Sequence, residues 1–72
     1  MTIARYITPL NEEYGTNVFL LEVEFGDNIR VTPDCDITNA IKIMFIHKIA
    51  MLPVYEGEEI IGVVTMAGLP SS

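Results

Sequence analysis

The sequence predicts a small α+β domain, a β-α-β-β module with an additional N-terminal strand, completed by a second copy of the chain. Three features predict it. Leu21, Val23 and Phe25 alternate with Glu22 and Glu24, which is the period of a half-buried strand. Ile37, Ala40, Ile41 and Met44 repeat at i, i+3, i+4 and i+7, the period of one buried helix face. Two apolar runs then flank Glu56-Gly57-Glu58, the pattern of a β-hairpin.

Taken in order, residues 1–20 form an N-terminal extension with no clear period, and residues 21–72 form the module. The first strand is expected from Thr16 to Phe25. Gly26-Asp27-Asn28 is turn chemistry, and Ile29-Arg30-Val31-Thr32 is a short extended run stopped by Pro33. Asp36 is the expected N-cap of the helix, with Asp34 adding negative charge where the helix dipole favours it. Ile43, Phe45, Ile46 and Ile49 widen the apolar arc over most of the helix girth, so the helix is expected to be buried on more than one side. The hairpin uses Met51–Tyr55 and Glu59–Thr65. Pro53 cannot donate to a ladder, which predicts an edge strand or an irregular start. The tail after Met66 is too short for another helix. The expected order is strand, strand, helix, strand, strand.

Composition narrows the function. A chain of 72 residues buries only about 60% of its unfolded surface, so its core alone is marginal. Cys35 and His47 are the only residues of their kinds, which excludes an internal disulfide and a zinc cluster. With half of the residues hydrophobic and mean hydropathy at +0.39, the remaining source of stability is a homodimer. Ten carboxylates against four Lys and Arg give a net charge of −6. That argues against nucleic-acid binding, which needs a basic footprint, and against anionic membranes. The apolar runs are too short to span a bilayer, and the first residues lack the plan of a signal peptide. A cytoplasmic location is the expectation. No nucleophile with a supporting base and no Gly-rich phosphate loop is present, so the chain is not expected to be an enzyme.

Four short pieces in order carry a resemblance. They are Val31-Thr32-Pro33, Ala40-Ile41-Lys42-Ile43-Met44, Leu52-Pro53-Val54-Tyr55 and Gly62-Val63-Val64-Thr65. Together the stretch Val31 to Leu69 resembles a CBS domain. The resemblance implies a non-catalytic regulatory module, paired with a second copy, whose clefts take AMP, ADP, ATP or S-adenosylmethionine. It implies that Ile29, Ile49, Ala50, Met51 and Val63 sandwich the purine, although ordinary core positions are the plainer reading of all five. It implies that the Thr65 hydroxyl meets the ribose-phosphate; the plainer reading is a strand-end cap. His47 and Lys48 match a basic pair that meets phosphate in some AMP-binding relatives, while cations that suit the helix dipole are the alternative.

The chain departs from the family pattern twice. Gly68 stands where the family has an Asp that takes the ribose hydroxyls. Loss of one charge-assisted hydrogen bond, worth about 1.5–3 kcal/mol, lowers affinity roughly tenfold to a hundredfold. The family's closing helix has no counterpart after Thr65; the N-terminal segment or a second chain is expected to replace it. The competing function is therefore a ligand-free module that dimerises or docks on a partner.

Overall fold

In the computed structural model, which describes residues 1–70, the stretch expected as the first strand is a helix. Asn11 sits in extended backbone, and its side-chain oxygen accepts a hydrogen bond from Tyr14 N at 2.9 Å. This satisfies one of the donors that every helix start leaves free. Glu12 and Glu13 fill the first turn, where the dipole favours carboxylates. Helix α1 then runs Glu12–Phe25. Tyr14, Val18, Leu21 and Phe25, spaced by four, three and four, form its inner face, with Val18 buried. Val23 lies on the opposite side and is 69% exposed. The alternation that suggested a strand is thus a by-product of a helix with apolar residues on two faces.

Gly26 stops α1. Its φ is +61°, and its N–H donates to the Glu22 carbonyl, a positive-φ cap that glycine adopts without a Cβ penalty. The extended run that follows contributes one step of parallel ladder. Val31 N donates to the Pro53 carbonyl at 3.3 Å, and the Val31 carbonyl accepts from Tyr55 N at 2.7 Å.

Helix α2, Ile37–His47, starts as expected. Asp36 accepts from Thr38 N at 3.0 Å, and this bond, aided by the N-terminal amine, holds its carboxyl below the usual range. Ile37, Ala40 and Met44 are buried, while Phe45 and Ile46 are 71% and 67% exposed. Burial is therefore confined to one side within a single chain, and the outer face of α2 is apolar and open. Lys48 closes the helix in left-handed conformation, with its N–H shared between the Met44 and Phe45 carbonyls.

Strands β1, Met51–Glu56, and β2, Glu59–Thr65, form the antiparallel hairpin, with Met51 opposite Thr65 and Glu56 opposite Glu59. Leu52, Pro53, Val54 and Tyr55 are all buried, so β1 is covered on both faces. In the two-stranded sheet it is an edge strand, as expected from Pro53; Val31 adds one bridge along its free side and uses the Pro53 carbonyl. Proline is tolerated there since only its acceptor is needed.

Residues before α1 complete the sheet from the β2 side. Thr8 N donates to Val63 O at 2.7 Å and Val63 N to Thr8 O at 2.8 Å, giving the lateral order Val31, β1, β2, Thr8. Gly62 permits this approach: a Cβ there would fall 2.5 Å from the Thr8 carbonyl oxygen. Ile3 is fully buried beside Ala40, Met44, Leu52, Val54 and Val64, and its N–H donates to the Cys35 carbonyl at 3.0 Å. The fold is α+β as expected, but its order is helix, helix, strand, strand. The strand partner on the N-terminal side is Thr8, not Thr16–Phe25.

Candidate functional site

Two chain reversals meet at one end of the hairpin. Lys48 turns the chain out of α2 so that Ile49-Ala50-Met51 leads into β1, and Ile49 N donates back to Met44 O at 3.0 Å. Thr65 ends β2 directly opposite Met51. Its hydroxyl oxygen accepts from Gly68 N at 3.1 Å, capping a short 3₁₀ turn over Met66–Gly68. Met66 N donates to the Ala50 carbonyl at 2.8 Å and locks the two rims together.

Across from these rims stands α1. Between them lies an open groove of about 470 Å³, the size of a small-ligand site. Its floor and far rim are Ile49, Ala50, Met51, Thr65 and Ala67. Its near wall is Tyr14, Asn17, Leu20, Leu21 and Glu24 of α1. The lining is largely apolar, with the Tyr14 and Thr65 hydroxyls and the Asn17 amide as neutral polar groups. Glu24 is the one charged side chain in it.

Tyr55 holds that wall in place. It is 3% exposed, and its hydroxyl donates to the Glu22 carboxylate of α1. The Arg30 guanidinium stacks over the Tyr55 ring at 4.1 Å and pairs with Asp27 at 3.1 Å. Burial, then the Glu22 hydrogen bond, pushes the Tyr55 hydroxyl above its ordinary pKa. It therefore remains a donor throughout the physiological range. Phe25 adds an edge-on contact with the His47 ring at 5.6 Å.

The residues singled out in the sequence divide into three groups. Ile49, Ala50, Met51 and Thr65 come together in the groove. Ile29 and Val63, at 2% and 0% exposure, are core. His47, Lys48 and Gly68 lie outside the lining: His47 is half-buried against Phe25, Lys48 is exposed at the end of α2, and Gly68 is exposed behind the Thr65 cap. The α1 wall was absent from the sequence reading. Reading residues 12–25 as a helix, from the Asn11-Glu12-Glu13 start and the Tyr14-Val18-Leu21-Phe25 spacing, would have placed Asn17, Leu21 and Glu24 near one another.

Cys35 lies elsewhere, on the loop before α2. Burial first, then Asp36 and Asp34, raises its pKa, which keeps it a thiol and a poor nucleophile at neutral pH. Among the described residues, no helix is long and apolar enough to cross a membrane.

Residues 24–69, well over half of the chain, match the family model described as CBS domain. No curated protein and no solved structure matches.

Proposed function

From the premise that the chain belongs to the CBS domain family, whose members are regulatory modules that often bind adenosine ligands, we propose a non-catalytic regulator of that type. It takes an adenosine-containing ligand in the groove between α1 and the hairpin ends and acts in the cytoplasm. One observation carries the reading. Ile49, Ala50, Met51 and Thr65, the positions at which the family pattern implies purine and ribose contacts, lie along a single groove of ligand size. Leu20, Leu21 and Met51 offer apolar surface to a flat base, and Asn17, Tyr14 and Thr65 offer hydrogen bonds to its edge and sugar. The oxygen of Thr65 already accepts from Gly68 N, which leaves its O–H free to donate.

Titration calorimetry with adenosine, AMP, ATP and S-adenosylmethionine tests the reading. Ala50 is exposed on the groove rim, so Ala50→Phe should fill the site and abolish the heats while leaving the fold intact. Unchanged binding by that variant would place the ligand elsewhere.

A second copy is the proposed partner. The outer face of α1 shows Phe19 and Val23 at 61% and 69% exposure, and that of α2 shows Phe45 and Ile46. Helix α1 has no cation and carries Glu12 and Glu13 in its first turn, outside the groove, whereas α2 carries Lys42, with Lys48 at its end, and no carboxylate. Packing α1 of one copy on α2 of the other covers both apolar faces and pairs opposite charges.

The same faces support a second reading, a ligand-free interaction module, and Gly68 in place of the family's Asp favours it. A clean dimer with negligible heats for all four probes would establish that alternative.

A further inference from the structure

The charge of the groove goes beyond the general reading of an adenosine site, and the inference drawn from it rests on that reading. We propose that the groove selects its adenosine ligand by charge: it admits neutral or cationic ligands and turns away nucleoside phosphates.

A phosphate needs a lysine, an arginine or an array of backbone donors within hydrogen-bond reach. None of the four Lys and Arg residues lines the groove. Arg30 is stacked on Tyr55 and paired with Asp27. Lys42 lies on the exposed side of α2, and Arg5 is in the 3₁₀ turn Ile3–Tyr6. Lys48, which the family pattern offers as the phosphate partner, is the exposed left-handed cap of α2 and is absent from the lining. His47 faces Phe25.

What the groove does hold is Glu24, on a protein of net charge −6. A carboxylate about 4 Å from a phosphate in water is repelled by about 1 kcal/mol, a fivefold loss of affinity, and each further phosphate charge adds to it. The same carboxylate attracts a sulfonium or an ammonium by a like factor. The neutral groups beside it, Asn17, Tyr14 and Thr65, suit a base edge and a ribose and add no positive charge. The natural occupant is thus an adenosyl compound without phosphate, and a positively charged one fits best.

Calorimetric titration of the full chain at low salt, with five probes, decides the matter. The expected affinity order is S-adenosylmethionine above S-adenosylhomocysteine, and adenosine above AMP above ATP, with steps of about fivefold. The first pair differs only in the sulfonium methyl and its charge. Glu24→Gln should collapse both orders, and Glu24→Lys should invert them; Glu24 is exposed, so both variants retain the wild-type circular dichroism. Raised salt should tighten ATP binding and loosen S-adenosylmethionine binding in the wild type, because screening weakens repulsion and attraction alike. AMP or ATP binding more tightly than adenosine, or orders that ignore Glu24, would overturn the charge selection and leave the groove a nucleotide site. Negligible heats from every probe would overturn the ligand reading itself.

Discussion

Gly62→Ala and Gly15→Ala add the same methyl group to two glycines, and the structure gives them opposite signs. At Gly62 the new Cβ would lie 2.5 Å from the Thr8 carbonyl oxygen and 2.6 Å from Ile7 Cγ2. The first obstacle is backbone, which no rotamer change can move. Relief requires the segment around Thr8 to retreat from β2, and the retreat breaks the two Thr8–Val63 hydrogen bonds. Each is worth about 1 kcal/mol net. The unfolded chain gives back roughly 0.5–1 kcal/mol because alanine has less freedom to lose, while residual crowding adds to the loss. The net cost is about 2 kcal/mol. At Gly15, inside α1, a Cβ meets nothing within 4 Å, and alanine favours a helix by about 0.5–1 kcal/mol. That variant should be more stable than wild type. Urea denaturation at fixed protein concentration measures both, read as shifts in midpoint at constant slope. A neutral Gly62→Ala would refute the sheet extension by Thr8. A destabilised Gly15→Ala would refute the helix over residues 12–25 and restore the strand.

Val23→Glu tests the dimer. Val23 is 69% exposed, so the fold should shift by less than about 0.5 kcal/mol, while light scattering should fall from dimer to monomer mass; a wild type that is a stable monomer at micromolar concentration sinks the proposal. Lys48 has φ +56°, and Lys48→Gly should raise stability by roughly 1 kcal/mol by removing the left-handed penalty. Lys48→Ala should leave adenosine binding unchanged, because Lys48 does not line the groove. Asp36, held below its ordinary value of 3.8 chiefly by the Thr38 N–H, contributes stability that is present above that value and lost as pH falls through its folded pKa. Thermal melts of wild type and Asp36→Asn, which keeps an acceptor oxygen but does not titrate, should therefore differ at neutral pH and converge in acid; parallel curves would refute the cap's role.

The second half of the fold was legible because each of its signals agrees with the others. Asp36 caps a helix whose buried positions all lie on one face, and Glu56-Gly57-Glu58 separates two apolar runs, with Gly57 at φ +65°. The first half was misread for a physical reason. Helix α1 is apolar on the inner Val18-Leu21-Phe25 face and again at Phe19 and Val23, so its 3.6-residue period is blurred and a local alternation stands out. The error carried into the site. Ile49, Ala50, Met51 and Thr65 could be found from the family pattern, but the wall that faces them is made of the misread residues. The partners of His47 and Lys48 were out of reach for another reason: Phe25 approaches from a separate element, and a left-handed lysine leaves no mark in the sequence.

Helix α1 links the groove to the proposed dimer. Of its residues only Val18 is buried, and the Tyr55–Glu22 hydrogen bond and the Phe25–His47 contact supply its other anchors. To the extent that a wall with so few anchors leaves its place, the apparent affinity of the groove falls by that fraction. A second copy lying on Phe19 and Val23 would hold α1 against its own sheet and remove the loss. Linkage then makes the effect reciprocal, so a ligand that bridges α1 and the hairpin strengthens the dimer by the same factor. Under this arrangement the N-terminal helix does more than wall the groove. It would convert occupancy of the groove into a change in association, the form of regulation open to the proposed binding module.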